Sequence, residues 1–194
     1  MLIRVCLVGS LLGLAFAPAL RAQASNPPFA QMEVLSVDEG PNAIELNGAS
    51  PTDLVVRGWV ENYNAHGFHF VTFFIQYPDS EDGRTRWDLV PFVTGERTER
   101  GLTTSGGADC RLHDLRVLRP RSGPRAVTIV VADRDLGRSY ADSERVVFSV
   151  YELRQNLTGT PGTPGIAFYR TRTIVARARY CDVNDAFAAE LSVR

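Results

Sequence analysis

The stretch DLVVRGWVENYNAHGFHFVTFFIQY, Asp53 to Tyr77, places two apolar runs on either side of a polar centre. In the second run His69, Val71, Phe73, Ile75 and Tyr77 alternate with Phe68, Phe70, Thr72, Phe74 and Gln76. Successive side chains of a strand point to opposite faces, so a period of two predicts a strand. Both sets are largely apolar, which predicts a central strand covered on both faces. LVVRGWV, before the centre, is short, β-branched and bounded by turn formers. The centre itself, ENYNAHGFHF, holds two of the chain's three histidines with Asn62, Asn64 and Gly67. Asn and Gly favour turns, so His66 falls in a loop and His69 opens the next strand.

The same short-strand pattern continues in both directions. MEVLSV, AIEL, RLHDLRVL, AVTIVVAD, ERVVFSVYEL and FYRTRTIVARARY are strand-like, and Gly, Pro, Asn and Asp separate them. WDLVPFV carries Pro91, which assigns it to an edge or a bulge. FYRTRTIVARARY is long and keeps one wet face. A single helix is predicted, DAFAAEL, with Asn184 as its cap and Asp185 in its first turn. Short strands at turn-punctuated spacing predict an all-β fold, a single-domain antiparallel β-sandwich or barrel with a short C-terminal helix.

Residues 1–24 have the form of a secretory signal peptide: Arg4, an apolar run from Val5 to Leu20, then Ala22-Gln23-Ala24. The run is shorter than the ~20 residues a membrane span needs. Cleavage near Ala24 predicts a periplasmic or secreted β domain over residues 25–194, with no membrane span. That segment has 19 arginines, no lysine and 22 acids, a net charge of −3. This balance argues against a nucleic-acid partner. Removing the signal removes Cys6 and leaves Cys110 and Cys181. An even count in an exported chain predicts one disulfide; thiolate metal ligation is the other reading.

Three segments have residues that suit binding or chemistry. His66 and His69 would point to opposite faces of a strand and converge only if the chain turns at Gly67. Zinc would require further ligands, from Asp109, His113 or Glu61. The other readings are a turn whose side chains bond its own backbone and an exposed binding loop. ELNGASPTD, Glu45 to Asp53, resembles an oxygen-ligated calcium loop in Glu45, Asn47 and Asp53. Ala49 stands where that loop carries a central carboxylate, and Ser50 stands for its second glycine, so the segment reads as a hairpin that need not hold metal, with calcium as the weaker alternative. GGADCRLHD presents Asp109 and Arg111 beside the predicted disulfide. ADRDLGRSYADSE is a charged connection containing Arg134. The sequence lacks a Gly-x-Ser-x-Gly elbow and a Ser-x-x-Lys pair, and it leaves no free cysteine. No catalytic residue and no cofactor is assigned, and zinc or calcium stays the weaker reading.

NYNAHGF, SGGADCRLHD and DRDLGRSYAD, closed by RYCDV, resemble the CarG-type carbapenem self-resistance proteins. The resemblance runs from about Leu54 to Val183 and rests on motif order and the two cysteines. It implies an exported, all-β bacterial protein that protects against carbapenems without acting as a β-lactamase. The binding partner would be a β-lactam or a cell-wall-related target. Asn62, Asn64, His66, Asp109, Arg111 and Arg134 would then meet that partner, with Arg111 or Arg134 pairing a carboxylate. A zinc hydrolase using the histidines, or a structural or adhesive sandwich, are the alternatives.

Overall fold

The computed structural model describes residues 28–48, 53–64, 66–78, 84–106, 110–157, 159 and 161–194. The predicted signal segment, Ala49, Ser50 and Asp109 lie outside them. Thirteen strands occur among the described residues: β1 (Met32–Leu35), β2 (Gly40–Ala43), β3 (Leu54–Val60), β4 (Phe68–Pro78), β5 (Thr85–Leu89), β6 (Phe92–Thr94), β7 (Arg97–Glu99), β8 (Leu102–Thr103), β9 (Ser105–Gly106), β10 (Arg111–Pro120), β11 (Thr128–Arg134), β12 (Glu144–Gln155) and β13 (Ile166–Tyr180). They form two sheets. The larger runs β1–β10–β11–β12–β13–β6–β7, with β9 also on β10, and the smaller runs β2–β3–β4–β5, with β8 also on β4. The pairings are antiparallel except β13 with β6.

The two sheets face each other across one core. Val55, Val71, Phe73 and Ile75 from the smaller sheet meet Leu115, Val117, Ile129 and Val131 from the larger. At its centre Phe92 stacks on Phe168 with ring centres 4.9 Å apart, and Phe73 meets both edge-on at 5.4 and 5.3 Å. Tyr151 closes the group edge-on against Phe92 at 5.3 Å. Such edge and offset contacts add roughly 0.5–1.5 kcal/mol per pair beyond area burial. The fold is therefore the expected all-β sandwich with a short C-terminal helix.

Pro91 explains how Phe92 reaches that position. WDLVPFV, expected as one strand, is two. The chain leaves the smaller sheet after Leu89 and enters the larger at Phe92. The Val90 amide still bonds Phe73 O at 2.8 Å, and Pro91 O accepts the Phe168 amide at 2.8 Å. Proline has no amide to donate, so it suits the residue where the ladder changes partner.

The expected double cover falls on a different strand. On β4 Val71, Phe73 and Ile75 are buried, while the opposite face, with Phe70, is only partly covered. The strands covered on both sides are β10, β11 and β12. On β11 Ile129 and Val131 enter the sandwich core, and Val130 and Ala132 enter a second core. That second core is capped by helix α1 (Val183–Ala186) and the π-helical turn Phe187–Leu191 that continues it. Val183, Phe187, Leu191 and Val193 pack there against Val146, Phe148 and Val150. The helix cap is Asp182 rather than Asn184: its carboxylate accepts the Asn184 amide at 2.8 Å, and the Asn184 side chain accepts from Arg116 at 2.5 Å.

Glu190 docks this cap to β13. Its carboxylate accepts the Arg177 amide at 3.1 Å, the Ala178 amide at 3.3 Å, the Tyr180 hydroxyl at 2.8 Å and the Arg177 guanidinium at 2.8 Å. Burial pushes this carboxyl up, but the bonds from Arg177, Tyr180 and Ala178 outweigh it and hold Glu190 below the ordinary glutamate value. A depressed carboxyl stabilises the fold above its unfolded pKa, and that stability is lost as pH falls through the lower folded value. Glu190→Gln is expected to cost about 1–3 kcal/mol at neutral pH, and the difference should shrink as pH falls through the lowered folded value of the wild-type carboxyl. Thermal melts of both proteins across a pH series from neutral into the acid range check this.

Candidate functional site

The turn between β3 and β4 is held by its own side chains. Asn62 Nδ2 donates to His66 O at 2.9 Å, and Asn64 Oδ1 accepts the His66 amide at 2.8 Å. Glu61 accepts the Tyr63 amide at 2.9 Å and the Trp59 indole N–H at 3.2 Å. Asn62 and Asn64 therefore build the turn, as short polar side chains do when they bond neighbouring backbone. The turn presents aromatic rings. Tyr63, at φ 57°, is 94% exposed. The His66 ring stacks on Tyr140 at 5.1 Å. Trp59, also exposed, lies over Gly67 so closely that a Cβ there would sit 2.1 Å from its ring.

Tyr140 belongs to a second loop, fastened from below. Arg134, expected to meet a ligand, is turned inward and buried. Its guanidinium donates to the carbonyls of Asp142, Leu136 and Ser139. The Asp142 carboxylate accepts the amides of Arg138 and Ser139 at 2.8 and 2.9 Å, and these bonds hold it below the ordinary aspartate value. The loop ends against the disulfide: Cys181 Sγ lies 3.2 Å from Ala141 O. Cys110 and Cys181 are bridged with Cα atoms 5.7 Å apart, closing a separation of 71 residues. On the chain-entropy view such a loop is worth about 4 kcal/mol. Beside it Asp182 accepts the Arg111 amide at 3.1 Å, while the Arg111 side chain stays part-exposed. Four separate segments thus meet at one end of the sandwich.

Behind this rim lies a polar floor. His69 Nε2 is 2.5 Å from Glu39, and His69 Nδ1 is 3.2 Å from Arg57 and 3.3 Å from the Thr104 hydroxyl. A guanidinium only donates, so Nδ1 accepts and the ring proton sits on Nε2, facing Glu39. Thr104, His69 and Glu39 have the outline of a hydroxyl–imidazole–carboxylate relay. Two features oppose its use as one: Arg57 occupies the nitrogen that would take the hydroxyl proton, and Thr104 is 2% exposed. A cavity of about 290 Å³ adjoins this floor, between Arg57, Thr104 and the β1–β2 crossover. His113 pairs with Asp133 directly across β10 and β11.

Among the described residues the candidate metal ligands do not assemble. His66 stacks on Tyr140, His69 faces Glu39, and His113 faces Asp133. Among the described residues no three His, Cys, Asp or Glu side chains converge on one point. Of the calcium-like segment, Glu45 pairs with Arg125 at 2.9 Å. Asp53 is fully buried and accepts the Leu46 and Gln76 amides at 3.0 and 3.2 Å. Burial raises its carboxyl, and those amides oppose the rise. Asp53 is thus a backbone clamp, and Asn47 is the remaining member of that trio. Glu39, Arg57 and Thr104 lay in segments with no motif, so sequence reading missed them.

Gly67→Ala is expected to displace the Trp59 ring and with it the turn. A shifted and quenched or enhanced indole emission, against an unchanged spectrum for Gly165→Ala at an open position without a positive φ, checks this. Replacing Cys110 and Cys181 together by Ser should lower stability by about 2–4 kcal/mol in denaturant unfolding.

Comparison with known proteins follows this geometry. A family model described as carbapenem resistance protein CarG-like matches residues 37–189. No curated protein matches the chain. A solved structure titled "Crystal structure of CarG" superposes with a TM-score of 0.66 at 21% identity, covering 81% of this chain and 94% of that one. At that identity the superposition establishes the fold. The family match spans most of the chain and all four converging segments, and the chain belongs to the CarG-like family of carbapenem resistance proteins.

Proposed function

We propose that this protein acts after export and protects against carbapenems by binding the drug, or its cell-wall target, without hydrolysing the drug. The observation that carries this reading is the convergence of four segments on one disulfide-anchored end. That end presents Trp59, Tyr63, His66 and Tyr140. Rigid aromatic rings on a fastened loop give contact area at low entropic cost. Arg111, at the same rim, supplies a cation for a ligand carboxylate. The buried Thr104, with Arg57 on its histidine, supports binding over acyl transfer. The N-terminal sequence supports export.

The test is the carbapenem inhibitory concentration of a susceptible Gram-negative host exporting the protein, with drug concentration followed in parallel. Raised resistance with intact drug is the expected result. His66→Ala with Tyr140→Ala should then weaken protection roughly three- to tenfold, the scale of one lost ring contact. Raised resistance with the drug destroyed would replace this reading by a hydrolase. No rise, with folded protein in the periplasm, would remove the resistance function.

A further inference from the structure

The opposite end of the sandwich has a cleft of its own. β4 runs from the rim at Phe68 to Pro78, so Tyr77 lies about 26 Å from His69 along the strand. There β5 is the edge of the smaller sheet, and β6 and β7 are the edge of the larger. The edges diverge after the chain crosses at Pro91, and a cleft of about 650 Å³ opens between them. That volume is in the range of pockets for small organic molecules.

The charges in this cleft do not cancel. Arg86 donates to both oxygens of Asp88, at 2.8 and 3.1 Å, which neutralises that acid. Arg100 also lines the cleft, and no acid lies within ion-pair distance of it among the described residues. Tyr77 adds a hydroxyl with no hydrogen-bond partner among the described residues. Burial, then the charges of Asp88 and Asp53, push this phenol above its ordinary value, so it stays a neutral donor. Among the described residues, then, neither of these two donors has an acceptor. Pro91, Pro164 and Ile166 give the cleft an apolar wall, and Thr98 adds a further polar group.

We propose that this cleft is a binding site for a small organic carboxylate, with its carboxylate facing Arg100 and Tyr77 and its apolar body against Pro91, Pro164 and Ile166. A guanidinium is the side chain best matched to a carboxylate. The site lies away from the aromatic rim and does not depend on the function proposed for it. Carbapenems are organic carboxylates, and so are many other small molecules; the shared chemistry is what the cleft selects.

Titration calorimetry of the purified chain tests this with 2-naphthoate, the uncharged 2-naphthamide and meropenem as probes. The expected result is saturable binding of at least one carboxylate, and no comparable binding of the amide. Arg100→Gln should weaken that binding roughly tenfold or more, and Tyr77→Phe less. His66→Ala, at the far rim, should leave it unchanged. Meropenem bound in this way would place the drug in the cleft; 2-naphthoate alone would make the cleft a site for other carboxylates. Binding of neither acid, equal binding of acid and amide, or an unaltered Arg100→Gln protein of wild-type melting temperature would each overturn the proposal. An inhibitory-concentration test that failed at the rim would leave it standing.

Discussion

The stacking of Phe92 on Phe168 is the contact on which the architecture turns. Phe92 arrives from a chain that has just left the smaller sheet, and Phe168 opens the long strand of the larger. Their pairing is the parallel contact of β6 with β13. Phe73 rests on both rings from the facing sheet. One group of rings thereby fixes the crossover point, the strand order and the spacing between the layers. Close packing at such a node leaves little freedom elsewhere. The divergence of β5 from β6 and β7, and so the cleft beside them, follows from where Pro91 sends the chain.

The strands were legible because period-two patterning survives whatever packs on them. The number of layers was harder to read. Phe68, Phe70 and Phe74 make β4 look covered on both faces, but the structure covers their side only in part. The doubly covered strands are those facing the C-terminal helix, and only tertiary placement assigns that helix to the larger sheet. WDLVPFV shows the same limit. Pro91 marked an interruption, but a sequence does not say which sheet the chain enters next.

The site was legible in outline. The segments quoted for the family resemblance do meet at one end, and the two cysteines are bridged there. Individual roles were less visible. Short polar side chains bond whichever backbone groups lie nearest. Asn62 and Asn64 therefore support the turn, and Arg134 supports its neighbouring loop. Of the rings that remain outward, Tyr63 and Tyr140 lie within the quoted segments but no role was read for them, and Trp59 lies outside those segments. Glu39, Arg57 and Thr104 come from three distant segments, so only the folded register could bring them to His69.

The disulfide has a consequence for the order in which the molecule is made. Cys110 precedes its partner by 71 residues. During synthesis from the N-terminus, β11, β12 and β13 all emerge before Cys181 does. Until then Cys110 lacks its native partner, on an unfinished sheet whose second face lacks its helical cover. The residues that bring Cys181 into place are followed at once by the helix that covers that face. The native bridge therefore tethers the start of the helix that closes the second core, joining the oxidised rim to the last layer of the fold.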